Sequence, residues 1–324
     1  MRYLSFLLLL VAFSTVFLTA CTTGEEVEEI KEEDTDQGEK LLKPKELSDA
    51  FLNGNYEKVY SQTSKAFQKA VSLKQLQELG EEFNKDITTY TLQSELPYGN
   101  GSNQYVWIDD SGSKGMLAVF DVEDTIQGIQ FIPLDMYPET DNIYTETVFD
   151  FPFQGKWFVL WGGTNNLINY HYAYENQRYA YDFLTMNENS TYEGDPTLNE
   201  SYYAFGKEYL APADGMVVKV ENSVKDNTPV GRMNDKQPFG NYVILDHGNK
   251  EFSYLVHFKH QSIVVKEGDQ VKKGDLLGLV GNSGHSSEPH IHFHVADSPD
   301  PMTSKSINIT FDRKDKFIQG DFVE

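Results

Sequence analysis

The chain has a single cysteine in 324 residues, Cys21, so no internal disulfide can form. It is also poor in base: 27 Lys and Arg stand against 50 Asp and Glu, for a net charge of −23. That balance argues against a nucleic-acid partner, because phosphate binding needs clustered cations. The apolar run from Leu4 to Leu18 is shorter than the roughly 20 residues that a membrane-crossing helix needs. No histidine precedes His171, and all eight fall between it and His294. The glycine turn at Gly281 to Gly284 is followed by no Lys-Ser/Thr pair and no helical pattern, which speaks against a phosphate cradle. What is plentiful is aromatic. The 19 Tyr and 21 Phe sit on short segments that favour β structure. At 39% hydrophobic and 24% charged, most of the chain can build globular cores, and its length suggests two domains.

The first 20 residues read as a signal peptide: Arg2, the apolar run, then LTAC at Leu18 to Cys21. This box resembles the bacterial lipoprotein signal. The resemblance implies a lipid on the Cys21 sulfur, cleavage before it, and an extracytoplasmic protein anchored to a bacterial membrane. Residues 21–44 are acidic and lack aromatics, which predicts a disordered tether.

Residues 45–135 change character. Helical periodicity runs through KELSDAFLNGNYEKVY, interrupted by Asn53-Gly54-Asn55, and a helix is predicted at SLKQLQELGEEF with Ser72 as N-cap. On it Leu73, Leu76, Leu79 and Phe83 share a face. Four strand-like runs follow, ITTYTLQSEL, NQYVWIDD, GMLAVFDV and TIQGIQFIPL, separated by turns. Helices followed by a meander make a small α+β domain. Its order is weakly similar to nuclear-transport-factor-2-like domains, and a binding or spacer role is its default. Residues 136–148 read as a linker. From 149 to 324 the chain is β-rich and punctuated by glycine, with strands expected at WFVLWGG, YAYDFLT, GMVVKVEN, NYVILDHG, EFSYLVHF, DLLGLVG and PHIHFHV. The tail from Ile307 is read as one short pairing segment and a loose end.

In EPHIHFHV the period of a strand puts His290, His292 and His294 on one face, about 7 Å apart. One small metal can take one of them, leaving its neighbour to touch whatever the metal binds. His257 ends the hydrophobic run FSYLVHF, and Asp182 is embedded in the aromatic run YAYDF, where a carboxylate needs a partner. Zinc held by His and carboxylate is a recurrent hydrolytic centre.

The ordered series LAPADGMVVKV, GNYVILDHGN, FSYLVHF and VVKEGDQVKKGDLLGLVGNSGHSSEPHIHFHV resembles the lysostaphin-type zinc metallopeptidases that cut bacterial peptidoglycan. The likeness extends from about Ala180 to Val295. It implies a mainly β fold: a β-sandwich-like domain with a groove over one sheet, preceded here by the small α+β domain. It also implies a zinc ion, a peptidoglycan substrate, His292 and Asp182 as ligands, and His257 and His290 as catalytic imidazoles. His294 stands where many relatives carry Glu and receives no coordinating role. His247 is read as structural, His260 and His285 as solvated loop residues, and Tyr203 and Asn241 as sheet packing.

One position departs from the family pattern. The expected His four residues before Asp182 is Arg178, which stays protonated and binds no zinc. His171 is the nearest substitute. With Glu175-Asn176 as a two-residue hairpin, His171 would pair across from Ala180 and share a face with Asp182. Zinc endopeptidase is the preferred reading, since Asp182, His257, His290 and His292 are all present. The alternative is a catalytically impaired relative that binds the wall or activates a hydrolase, which Arg178 keeps open. A lipid-anchored solute-binding protein fits less well, as nothing resembles a two-lobed binder.

Overall fold

A computed structural model describes residues 41–97, 101–313 and 316–324. The signal peptide, Cys21 and residues 21–40 of the tether lie outside the described residues. Residues 41–44, assigned to the tether, join the fold instead. Leu42 is buried, and its N–H and C=O both bond the Gln62 side chain. Among the described residues no helix is long and apolar enough to cross a membrane.

Four short helices come first: α1 (Leu47–Leu52), α2 (Tyr56–Ser61), α3 (Lys65–Ala70) and α4 (Leu73–Phe83). Ser72 and Gln75 form a reciprocal capping box that starts α4. Its buried face is Leu76, Gly80 and Phe83, whereas Leu79 is largely exposed. Gly80 is required there by close approach, since a Cβ would lie 2.4 Å from the Tyr56 ring. The helices cover one face of an antiparallel meander, β1 (Tyr90–Pro97), β2 (Asn103–Asp109), β3 (Lys114–Phe120) and β4 (Ile126–Pro133). Along β2, Tyr105 and Trp107 face the helices while Val106 and Ile108 face the other way, and all four are buried. The unbroken apolar run YVWI therefore marks a sheet covered on both sides.

The rest is mainly β. The segment read as a linker supplies β5 (Tyr144–Phe149), which pairs in parallel with β15 (Ser306–Phe311). Between them in sequence lie β6 (Trp157–Trp161), β7 (Tyr181–Leu184), β8 (Glu208–Leu210), β9 (Gly215–Glu221), β10 (Asn241–Asp246), β11 (Phe252–Phe258), β12 (Gln270–Val271), β13 (Leu276–Leu279) and β14 (Ile291–Ala296). The expected loose end carries β16 (Phe322–Val323), paired with β6. Ten strands form one sheet along the path β12-β9-β10-β11-β14-β7-β6-β16, with β15 and β5 branching from β14. β8 and β13 form a small second sheet. Together with Phe149, Phe151 and Phe153, it buries the face that carries Leu255, Ile291 and Phe293. The opposite face carries Asp182 on β7, Tyr254 and Val256 on β11, and His292 and His294 on β14.

Candidate metal centre

Strand register does most of the assembly. β14 pairs with β7 so that His292 lies directly opposite Asp182, and with β11 so that His292 also faces Val256. Ile291, Phe293 and Val295 fill the core, so His290, His292 and His294 must face away from it. All three are buried, as are Asp182, His171 and His257.

His257 reaches this face by a bulge. Leu255 and Phe258 both enter the core, which simple alternation forbids. The β10–β11 register slips at this point: Asn241 pairs with Phe258 and Tyr242 with Val256, so His257 has no opposite number. It adopts φ +66°, a left-handed conformation strained for any residue but glycine. The bulge turns its ring out of the core and over the histidine row. Its ring centre is 4.8 Å from that of His290 and 5.8 Å from that of His292.

His171 arrives from elsewhere. The expected hairpin is absent: Tyr170–Ala173 is a 3-10 turn, and turns continue through Gln177 to Ala180. The cause is Asn169. Its Oδ1 accepts the His171 N–H at 3.1 Å, and its Nδ2 donates to the carbonyls of Gly163, Arg178 and Ala180. An Asx turn thus replaces a ladder. The substitute position nevertheless lands beside Asp182, with His171 Nε2 at 3.6 Å from Asp182 Oδ2. Arg178 is turned away onto the Tyr137 ring, 3.3 Å from its centroid.

Acceptors select the tautomers. His171 Nδ1–H donates to Asn169 Oδ1 (2.9 Å), His257 Nδ1–H to the Ser283 carbonyl (2.7 Å) and His290 Nδ1–H to the Glu288 carbonyl (2.8 Å). None of these oxygens can donate, so each ring keeps a bare Nε2. His292 lies between Asp182 Oδ1, 2.9 Å from its Nδ1, and His294 Nδ1, 2.9 Å from its Nε2. His294, stacked on Tyr254, is therefore a support for His292. Spacing puts His294 on the same face as His292 but gives it no role, and it does not single out Asn169; a polar neighbour two residues from each candidate ligand is the one available sign.

The electrostatics agree. Burial pushes the His171 imidazole down to about 3, outweighing the pull of Asp182. Burial, reinforced by neighbouring imidazoles, also holds His257 and His294 well below the usual range. Burial raises the Asp182 carboxyl, but His171, His290 and His292 outweigh it and hold it below the ordinary carboxylate range. A buried carboxylate thus stands beside imidazoles of which His171, His257 and His294 are held toward the neutral form.

These residues fit a metal ion. The donor atoms of His171, Asp182 and His292 lie within 4.8 Å of one another. His171 Nε2 is buried with no hydrogen-bond partner, a cost that an ion would remove. Two imidazoles and a carboxylate suit zinc. A cleft of about 240 Å³ opens onto His257 and His292 between Tyr170, Tyr174, Phe239 and Met302. His285 is at its rim, paired with Asp235 at 2.7 Å. Elsewhere, His247 bridges the Asp214 carbonyl and Ser253, and His260 is half-buried with its N–H on Asp226. Asn241 is fully buried against backbone, and neither it nor Tyr203 lines the cleft.

Known proteins resemble part of the chain. Residues 202–304 match Peptidase family M23; His171 and Asp182 precede the matched range. Peptidoglycan DD-endopeptidase ShyA of Vibrio cholerae is 38% identical over 71 residues, 22% of this chain and 16% of that protein. ShyB of the same organism is 28% identical over 116 residues, 32% of this chain and 26% of that one. The catalytic domain of lysostaphin from Staphylococcus simulans is 23% identical, covering 39% of this chain and 73% of that domain at a TM-score of 0.25. The chain spans about a fifth or less of the first three curated relatives. The likeness to Peptidase family M23 is confined to residues 202–304.

Proposed function

We propose that the chain is a zinc-dependent endopeptidase acting on peptide bonds of peptidoglycan, tethered outside the cytoplasm by lipid on Cys21. One observation carries the reading: His171, Asp182 and His292 converge within ligating distance of one another, with two further bare imidazole nitrogens beside them. The match to Peptidase family M23 and the names of the Vibrio cholerae relatives supply the substrate class.

His171, Asp182 and His292 would hold the zinc, which when bound acts as a Lewis acid on the scissile carbonyl and acidifies water. His257 Nε2 and His290 Nε2 share the proton traffic. They accept a proton from the attacking water and return one to the leaving amine. Their Nδ1–H bonds to backbone carbonyls keep both rings in the tautomer for this work. His294 and Asn169 hold the ligand rings in place.

The test pairs metal analysis with digestion of purified cell walls, fragments being identified by mass. The chain is expected to bind about one zinc and to release free amines from the walls. His292→Ala loses both metal and activity. His257→Ala and His290→Ala keep the metal and lose at least about 100-fold in turnover. No zinc uptake at micromolar metal, or wall binding without new amines, would return the chain to the impaired, wall-binding reading.

A further inference from the structure

We infer that the N-terminal α+β unit is a working part of the metal centre: its sheet, and the turn leaving it, are the frame that positions His171. The inference rests on the assignment of His171 as a ligand.

Asp182 and His292 are partners on adjacent strands, and the backbone ladder fixes their spacing. His171 has no ladder; it rides on a single 3-10 turn. A ligand on so short an element needs its flanks held, and both flanks are held by residues from the N-terminal side.

The incoming flank is Leu167 and Ile168. Both are buried in one apolar cluster with Val106, Ile108 and Leu134, on the sheet face that the helices leave uncovered. The approach is close: a Cβ on Gly115 would lie 2.3 Å from Leu167 Cδ1. Asn166 Nδ2 adds a bond to Asp135 at 3.2 Å.

The outgoing flank is gripped by the turn after β4. Tyr172, next to His171, donates its hydroxyl to Asp141 (2.8 Å) and accepts the Tyr137 N–H (3.2 Å). Tyr179 OH is 2.9 Å from Asp141 and 2.7 Å from Thr140. Arg178 stacks on Tyr137 and donates Nε–H to the Tyr172 carbonyl at 3.2 Å. The arginine at the family's usual ligand position thus braces the segment that brings in another ligand. Arg178 is a positioning residue. None of this frame falls in the range matched to Peptidase family M23.

The test uses the full chain and three readouts: zinc affinity by chelator competition, the visible spectrum of the cobalt-substituted protein, and the Tm of the metal-free protein. Ile108→Ala on the remote sheet and Arg178→Ala on the turn are each expected to raise the zinc Kd about 10- to 100-fold and to alter the cobalt bands. Tyr179→Phe, which deletes one hydroxyl and keeps the fold, is expected to do the same more weakly. Tyr137→Phe keeps the ring under Arg178 and is expected to match the unmutated chain. If Arg178→Ala and Tyr179→Phe lower the metal-free Tm yet keep the original zinc Kd and cobalt spectrum, the frame is packing alone and the inference falls. A His171→Ala variant that binds zinc as tightly as the unmutated chain fails differently: it removes the ligand assignment on which the frame depends.

Discussion

A bare imidazole nitrogen is costly to keep in a protein interior, and among the described residues this fold keeps one at His171 Nε2. Asn169 shows how. One amide sets the His171 tautomer and closes the surrounding turn through three carbonyls. Asn169→Ala leaves those buried groups unpaired. It is expected to lower stability by about 3 kcal/mol in denaturant unfolding; a loss within a few tenths would mean the turn stands without it. Acid should act in a defined direction too. Burial holds His171, His257 and His294 below the unfolded value of about 6.5. As pH falls through that value the unfolded chain gains protons and the folded one does not, so stability present at pH 7.5 is lost toward pH 5.5. Asp182, held below its unfolded value, extends the same loss to lower pH. The metal-free Tm should therefore fall over that interval, each histidine contributing about 1 kcal/mol by pH 5.5. A flat profile would contradict the buried neutral rings. At this scale the sequence was readable where a residue broke its surroundings, as Asp182 does in an aromatic run. Asn169 has no such contrast to mark it, one of several asparagines close together, and its role depends on carbonyls that the turn itself brings near.

Elements were readable where the period was local. The β2 run YVWI and the capping box of α4 announce themselves within a few residues. β5 and β16 do not, because each is a strand only through a partner far away in sequence. The bulge in β11 is also invisible in FSYLVHF, since alternation there would send His257 into the core. That bulge carries a prediction. At φ +66° glycine is free and alanine is not. His257→Gly should be more stable than His257→Ala by about 1 kcal/mol, although glycine is the more flexible residue. The reverse order in thermal melts would show that the bulge relaxes once the imidazole is gone.

Over the whole molecule, composition separated the acidic leader, the helix-first unit and the β-rich remainder. It left the relation between the last two unseen, because the Leu167–Ile168 contact with the first sheet has no local pattern. The proposed anchor predicts a simple partition. Cys21→Ala should move the protein from the membrane fraction to the soluble extracytoplasmic one with its wall-digesting activity intact; retention on the membrane would point to another attachment. The proposed centre, finally, is lopsided. Two of its teeth are rooted in neighbouring strands and the third hangs on one hinge. Such a chelate lets its ion go through the hinge: the rate of escape follows how often that one turn swings open, while the grip at rest still counts all three.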